Sequence, residues 1–145
     1  MRGRHESSVD AKGRVLVPIK MREVLGETFI AAVIMEPCVS LYTLDGWNAM
    51  LEKLEEFPIT KSRNLLRQLS CNAEDVQADS QGRVVIPKHL LKRAKLDKDS
   101  MLNKKALIIG AGLNRAEIWN PDVYDAKFGD VSEEDIAADF MALGL

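Results

Sequence analysis

The sequence predicts an α+β protein made of two pseudo-symmetric, β-rich halves with short helices and a helical bridge between them. Three observations lead there. The first is an internal repeat: Asp10-Ala-Lys-Gly-Arg-Val-Leu-Val-Pro18 recurs 69 residues later as Asp79-Ser-Gln-Gly-Arg-Val-Val-Ile-Pro87, with five of nine positions identical. The second is a downstream echo, in which Leu41-Tyr42-x-x-Asp45-x-Trp47 matches Ile118-Trp119-x-x-Asp122-x-Tyr124 at an offset of 77. The second copy has therefore gained eight residues, expected as a longer polar and basic loop around Ser100 to Lys105. The third is the segment from Asp45 to Cys71, whose leucines recur at helical rather than strand spacing.

Each element has a local reason. In Asp10-Ala-Lys-Gly-Arg14, Gly13 suits the positive φ of a three-residue hairpin loop ending in a bulge, and Gly82 stands at the same place in the second copy. Asp10 and Arg14, like Asp79 and Arg83, then face each other across the loop mouth. The runs Val15-Leu16-Val17 and Val84-Val85-Ile86 follow as strands. Pro18 and Pro87 each end a strand and open a short helix, where a missing N–H costs nothing. Met21, Val24 and Leu25 supply the apolar stripe of the first of these helices, stopped by Gly26; Leu90, Leu91 and Ala94 supply that of the second. Phe29 to Met35 and Val39 to Thr43 read as paired strands turning at Glu36-Pro37, and Leu107 to Ile109 and Ala116 to Trp119 as strands around Gly110-Ala-Gly112.

Asp45 is the expected N-cap of a helix bearing Trp47, Met50, Leu51 and Leu54, which Pro58 breaks. Leu65, Leu66 and Leu69 mark the bridging helix. Asp122 is expected to begin a short helix at Val123 and Tyr124, and Ser132-Glu-Glu-Asp135 resembles a capping box before Ile136, Phe140 and Met141. The divisions that follow are 1–57 and 72–129 for the two halves, 58–71 for the bridge, and 130–145 for an acidic helical tail.

Composition sets outer limits. The 145 residues are 46% hydrophobic and 29% charged, ordinary for a globular chain. The longest apolar runs fall well short of the roughly 20 residues that span a bilayer. The opening Met-Arg-Gly-Arg-His-Glu leads into polar residues, so no signal peptide is expected and the cytoplasm is the expected compartment. Cys38 and Cys71 lie far apart, without metal-ligand spacing, and read as free thiols; no metal or cofactor is expected. His5 and His89, the only histidines, belong to no nucleophile signature, and Gly110-Ala-Gly112 lacks the rest of a dinucleotide fingerprint. Catalysis has no support in this sequence.

A formal net charge of −2 argues on its face against nucleic acid, but the average conceals an asymmetry. Residues 1–23 carry six basic against three acidic groups, and residues 79–98 six against two. Residues 117–145 hold eight acidic groups and Lys127 alone as a base. The basic segments are those that contain the two hairpin tips. Arg14 and Arg83 each offer a planar fork of donors suited to phosphate oxygens or to guanine O6 and N7. Pairing with Asp10 and Asp79 contributes only about 0–1 kcal/mol at a surface, so stability alone weakly explains why the spacing recurs. Arg14 and Arg83 are therefore the candidates for base contact. Lys12, Lys20 and Arg4 are candidates for phosphate, with Gln81 and Arg2 as further DNA contacts. Asp10, Asp79, Gly13 and Gly82 orient the motif. Basic groups near each tip are expected from the same copy: Lys12, Lys20 and Arg22 in the first, Lys88, Lys92 and Arg93 in the second.

Two Asp-x-x-x-Arg hairpin motifs, each followed by an apolar strand and proline, with Leu-Tyr and Ile-Trp strand ends, resemble the MraZ family over residues 2–125. That resemblance implies tandem AbrB-like, swapped-hairpin halves in a bacterial transcriptional regulator. It implies a ring-shaped homo-oligomer, associated with the nucleoid. The ring would bind short direct repeats in double-stranded DNA upstream of its own operon, the division and cell-wall cluster, through Arg14 and Arg83. The expansion near Ser100 to Lys105 and the acidic extension after Asp130 depart from the family pattern. An AbrB-like antitoxin is the alternative, opposed by the two copies and the helical tail.

Overall fold

The computed structural model describes residues 1–99 and 105–145. The expected expansion falls on 100–104, outside the described residues, and on Lys105, which already begins a strand.

The first half runs β1 (Arg4–Ser8), β2 (Arg14–Leu16), α1 (Ile19–Leu25), β3 (Thr28–Ala32), β4 (Val39–Tyr42) and α2 (Leu44–Glu55). The bridging helix is α3 (Ile59–Cys71). The second half repeats the order as β5 (Ala73–Gln77), β6 (Arg83–Val85), α4 (Lys88–Arg93), β7 (Lys105–Gly110), β8 (Arg115–Trp119) and α5 (Pro121–Phe128). The chain ends in α6 (Glu133–Ala142), closed at its start by the Ser132/Asp135 capping box.

Pairing, not element order, gives the fold its character. A six-stranded antiparallel sheet has the order β1-β7-β8-β4-β3-β5, and β2 pairs only with β6. Each half thus lends its first strand to the other: β1 lies on β7, and β5 lies on β3. The registers obey a pseudo-two-fold. Arg4 opposite Ile109 corresponds to Ala73 opposite Ala32, and Val15 and Val84 face each other on the axis itself. The exchange agrees with the swapped-hairpin halves the resemblance implies, and it corrects the local reading of each turn as a simple two-strand hairpin. Each turn closes with a single bridge, Val9 to Val15 and Ala78 to Val84, after which its two strands part to partners in the opposite half. Local sequence specifies the turn but not which strand the chain then meets.

The core follows from this exchange. Val15, Val17, Val84 and Ile86 of the small ribbon pack on Phe29, Leu41, Ile108 and Ile118 of the large sheet, closed off by Met21 and Leu25 of α1 and Leu90 and Leu91 of α4. The opposite face of the large sheet is covered separately. Trp47 and Leu69 from α2 and α3 cover Ile30 and Ala32, and α5 covers Leu107 and Trp119. Trp119 has no exposed surface and meets Tyr124 and Phe128 edge-on at 5.6 and 5.4 Å between ring centres.

Three local expectations are revised. Thr43, not Asp45, caps α2, its Oγ1 accepting from the Gly46 N–H; Asp45 instead sits in the first turn, where an anion favours the helix dipole. Asn120, not Asp122, caps α5, because Pro121 takes the first helical position and its missing N–H needs no partner. The strand expected to reach Met35 stops at Ala32, as β5 and its pairing with β3 also stop there and Met35 is left exposed.

Candidate nucleic-acid interface

The two turns are built by one set of bonds. Asp10 Oδ1 accepts from the backbone N–H groups of Lys12 and Arg14 at 2.9 Å each, and Oδ2 accepts from Arg14 Nε at 2.6 Å. In the second turn Asp79 Oδ1 accepts from Gln81 and Arg83 at 2.9 Å each, while Arg83 Nε stands 3.2 Å from Oδ2. The Arg14 and Arg83 backbone N–H groups, with the guanidinium beside each, hold both carboxyls below the usual aspartate range. Gly13 and Gly82 take φ of 78° and 83°, the left-handed region that closes each loop. The carbonyls of these glycines accept from Ile86 and Val17 of the opposite half, which locks each tip to the far end of the ribbon.

The ribbon presents a composed outer face. Val15 and Val84 point inward and are fully buried, so Arg14, Leu16, Arg83 and Val85 point outward. In register, Arg14 lies beside Val85 and Leu16 beside Arg83. Leu16 and Val85 are 53% and 56% exposed, unusual for apolar residues on so short a strand pair. Two guanidiniums and two aliphatic groups thus alternate across one surface. Only the arginines were expected there from sequence. Strand alternation in Arg-Val-Leu-Val was the available signal for Leu16, masked because both faces of the strand are apolar.

The surrounding basic groups are exchanged between halves, which corrects the expected grouping. Lys88 and Lys92 of α4 line a cavity of about 350 Å³ against Lys12 and Gly13 of the first turn, together with Lys98 and the carboxylates of Asp10, Asp97 and Asp99. Arg22 of α1 serves the second turn: its Nε donates to the Val17 carbonyl at 2.9 Å, and its guanidinium lies where a Cβ on Gly82 would fall, 2.6 Å from Cζ. The equivalent backing of Gly13 is Leu91. The two tips therefore share a geometry but differ in charge behind the glycine. Arg93 turns away to the Val33 carbonyl.

Other predicted residues are dispersed. Lys20 is exposed in the first turn of α1, and Gln81 is exposed at the second tip. Arg4 lies over the Tyr124 ring, 5.3 Å from its centre, on the sheet face covered by α5. Arg2 lies against Gly110 at the β7–β8 turn, where the terminal amine also bonds the Gly112 carbonyl. The structure does not bring Arg2 and Arg4 to the tips.

A family model described as "MraZ protein, putative antitoxin-like" matches residues 1–68 and again 69–143. The chain belongs to the MraZ family. It is 40% identical to the transcriptional regulator MraZ of Caldanaerobacter subterraneus subsp. tengcongensis over 139 residues, 93% of this chain and 92% of that protein. It is 38% identical to the transcriptional regulator MraZ of Ligilactobacillus salivarius, over 99% of this chain and 98% of the relative. Identity to the transcriptional regulator MraZ of Acetivibrio thermocellus is 37% over the same shares. Membership makes this chain a transcriptional regulator rather than an enzyme, and the double match agrees with the two repeated halves. No helix among the described residues is long and apolar enough to cross a membrane.

The two thiols of this MraZ family member differ in environment. Cys38 is buried beneath α5, and burial, with Glu117 nearby, pushes its thiol up to about 12, whereas Cys71 is exposed at the end of α3. A thiol reagent at neutral pH is expected to label Cys71 rapidly and Cys38 only on unfolding. Mass mapping of the labelled peptides checks this, and rapid native labelling of Cys38 would contradict the burial.

Proposed function

We propose that this chain is a sequence-specific DNA-binding regulator, acting on the nucleoid, that reads short direct repeats as a ring-shaped homo-oligomer. In this reading it regulates its own operon, the division and cell-wall cluster implied by the resemblance, most simply as a repressor. The observation that carries the DNA reading is the β2–β6 ribbon, with Arg14 and Arg83 outward and each pre-oriented by its own aspartate. A two-stranded ribbon fits a major groove about 12 Å wide, where an Arg fork matches guanine and an aliphatic side chain matches the thymine methyl. Leu16 and Val85 supply the second kind of contact. In this reading Lys12, Lys20, Lys88 and Lys92 contact phosphate, with Gln81 as a polar contact at the second tip; the exposure of Lys20 and the grouping of Lys12 with Lys88 and Lys92 support it.

One ribbon reads few bases, so repetition supplies affinity. Once one subunit is bound, engagement by its neighbour is intramolecular, and avidity rises by roughly 10²–10⁴ without any new contact type. The test is binding to the protein's own upstream DNA against the same fragment with scrambled repeats, across a salt series. Three or more neutralised phosphates predict about a tenfold loss or more for a roughly threefold rise in salt. Equal affinity for both fragments would sink sequence-specific reading, and a flat salt response would sink the phosphate contacts. The family description favours one second reading, an antitoxin-like DNA-binding protein; co-purification of a small toxin protein would support it.

A further inference from the structure

We propose that α6 docks into a groove along α3 of a second copy of this chain, and that this junction links neighbours in the ring. The proposal deepens the oligomer reading above and rests on it. α6 is a formed helix, with Ser132 Oγ accepting from the Asp135 N–H at 3.1 Å and Asp135 Oδ2 accepting from the Ser132 N–H at 3.3 Å. Yet every residue from Val131 to Leu145 is exposed. A ten-residue helix is marginal in water by itself and gains most of its stability from packing an apolar face. Here Ile136, Phe140 and Leu143 recur at i, i+4 and i+7, and all three are exposed.

The pseudo-two-fold says what kind of surface this helix fits. The offset of 77 that relates β3 to β7 and β4 to β8 places Ile136 at the position of Ile59, so α6 is the counterpart of α3. In the first half α3 has α2 to pack on, a helix of 12 residues; in the second half α5 has only 8, and α6 is left without the equivalent support.

Charge then selects the occupant. α6 carries Glu133, Glu134, Asp135 and Asp139 and no basic residue. α3 carries Lys61, Arg63 and Arg67 and no acidic residue. Along α3 runs a groove of about 350 Å³ lined by Ile59, Ser62, Arg63, Leu66, Arg67 and Ser70, which brings apolar and cationic side chains together. An acidic helix with an apolar stripe is complementary to it. Joining the second half of one copy to the first half of the next is a head-to-tail contact, which repeats and closes into a ring where its rotation permits.

Two full-length double variants test the junction without DNA. Ile136→Asp with Phe140→Asp disables the tail, and Arg63→Glu with Arg67→Glu disables the groove. All four side chains are exposed on the single chain, so each variant should keep its helix content and a cooperative unfolding transition, with a midpoint that no longer rises with protein concentration. Light scattering and sedimentation should show a multi-chain wild type and single-chain mass for each variant. Mixed in equal amounts, the two variants should form a two-chain complex and nothing larger, because only one competent junction remains. A variant that keeps the wild-type mass, or a mixture that forms no two-chain complex, overturns the α6–α3 assignment while the ring reading stands. A wild type of single-chain mass overturns both, as it would if α6 folded onto its own α3.

Discussion

Arg14→Ala is expected to abolish the shift of the protein's own upstream DNA while leaving subunit assembly unchanged. Asp10 holds Arg14 through Nε alone, at 2.6 Å, so the terminal guanidinium nitrogens remain for a ligand. A lost bidentate base contact costs about 1–3 kcal/mol, roughly 5- to 150-fold per subunit, and a ring loses it in every subunit at once. The backbone of the turn does not need the side chain, since the Lys12 and Arg14 N–H groups keep their bonds to Asp10 Oδ1. Arg83→Ala should weaken binding less, because its longer 3.2 Å contact with Asp79 orients the guanidinium more loosely. Arg14→Lys separates the two possible roles: a phosphate contact would survive it, whereas base discrimination would fall with the fork. Gel shifts against repeat and scrambled DNA, with light scattering as the assembly control, read all three. An undiminished Arg14→Ala shift would remove this residue from the interface.

What the sequence made legible was what five or so neighbouring residues decide among themselves. The turns are such a case: Asp, Gly and Arg at fixed spacing specify the Asp10 and Asp79 bond sets with no help from the rest of the chain. The capping box at Ser132 is another. The exchange of strands was not legible from local signals, because β1 meets β7 about a hundred residues away and the two copies carry nearly the same signals; it entered only through the resemblance to swapped-hairpin halves. The basic groups were misgrouped for that reason alone. Lys88 follows the second tip in sequence, but β6 delivers it to the first, and α1 delivers Arg22 to the second. The outward exposure of Leu16 and Val85 likewise depends on which side of the ribbon the sheet covers.

The same exchange predicts that the first half cannot fold as a monomer. Alone, residues 1–72 would leave β1 without β7, and Val15 and Val17 without Val84 and Ile86. The pseudo-two-fold offers a remedy, because each lost partner has a counterpart in a second copy of the same fragment. β1 of one copy would pair with β3 of the other, Arg4 opposite Ala32, and Val15 would face its own symmetry mate. At the centre of the large sheet Ser40 now faces Glu117; in the fragment it would face a second Ser40, two small polar groups that an antiparallel pair accommodates. Residues 1–72 are therefore expected to form an obligate homodimer whose unfolding midpoint rises with protein concentration. The complementary fragment, residues 73–145, faces a harder centre, with Glu117 opposite Glu117, and like charges directly opposed are destabilising. It should dimerise more weakly. Mixing the two fragments should then favour the heterodimer, which restores the Ser40–Glu117 pairing of the intact chain. Concentration-dependent thermal unfolding and sedimentation check each arm. A folded monomeric 1–72 with a concentration-independent midpoint would show that the halves are separable, and that the strand exchange is not what holds them together.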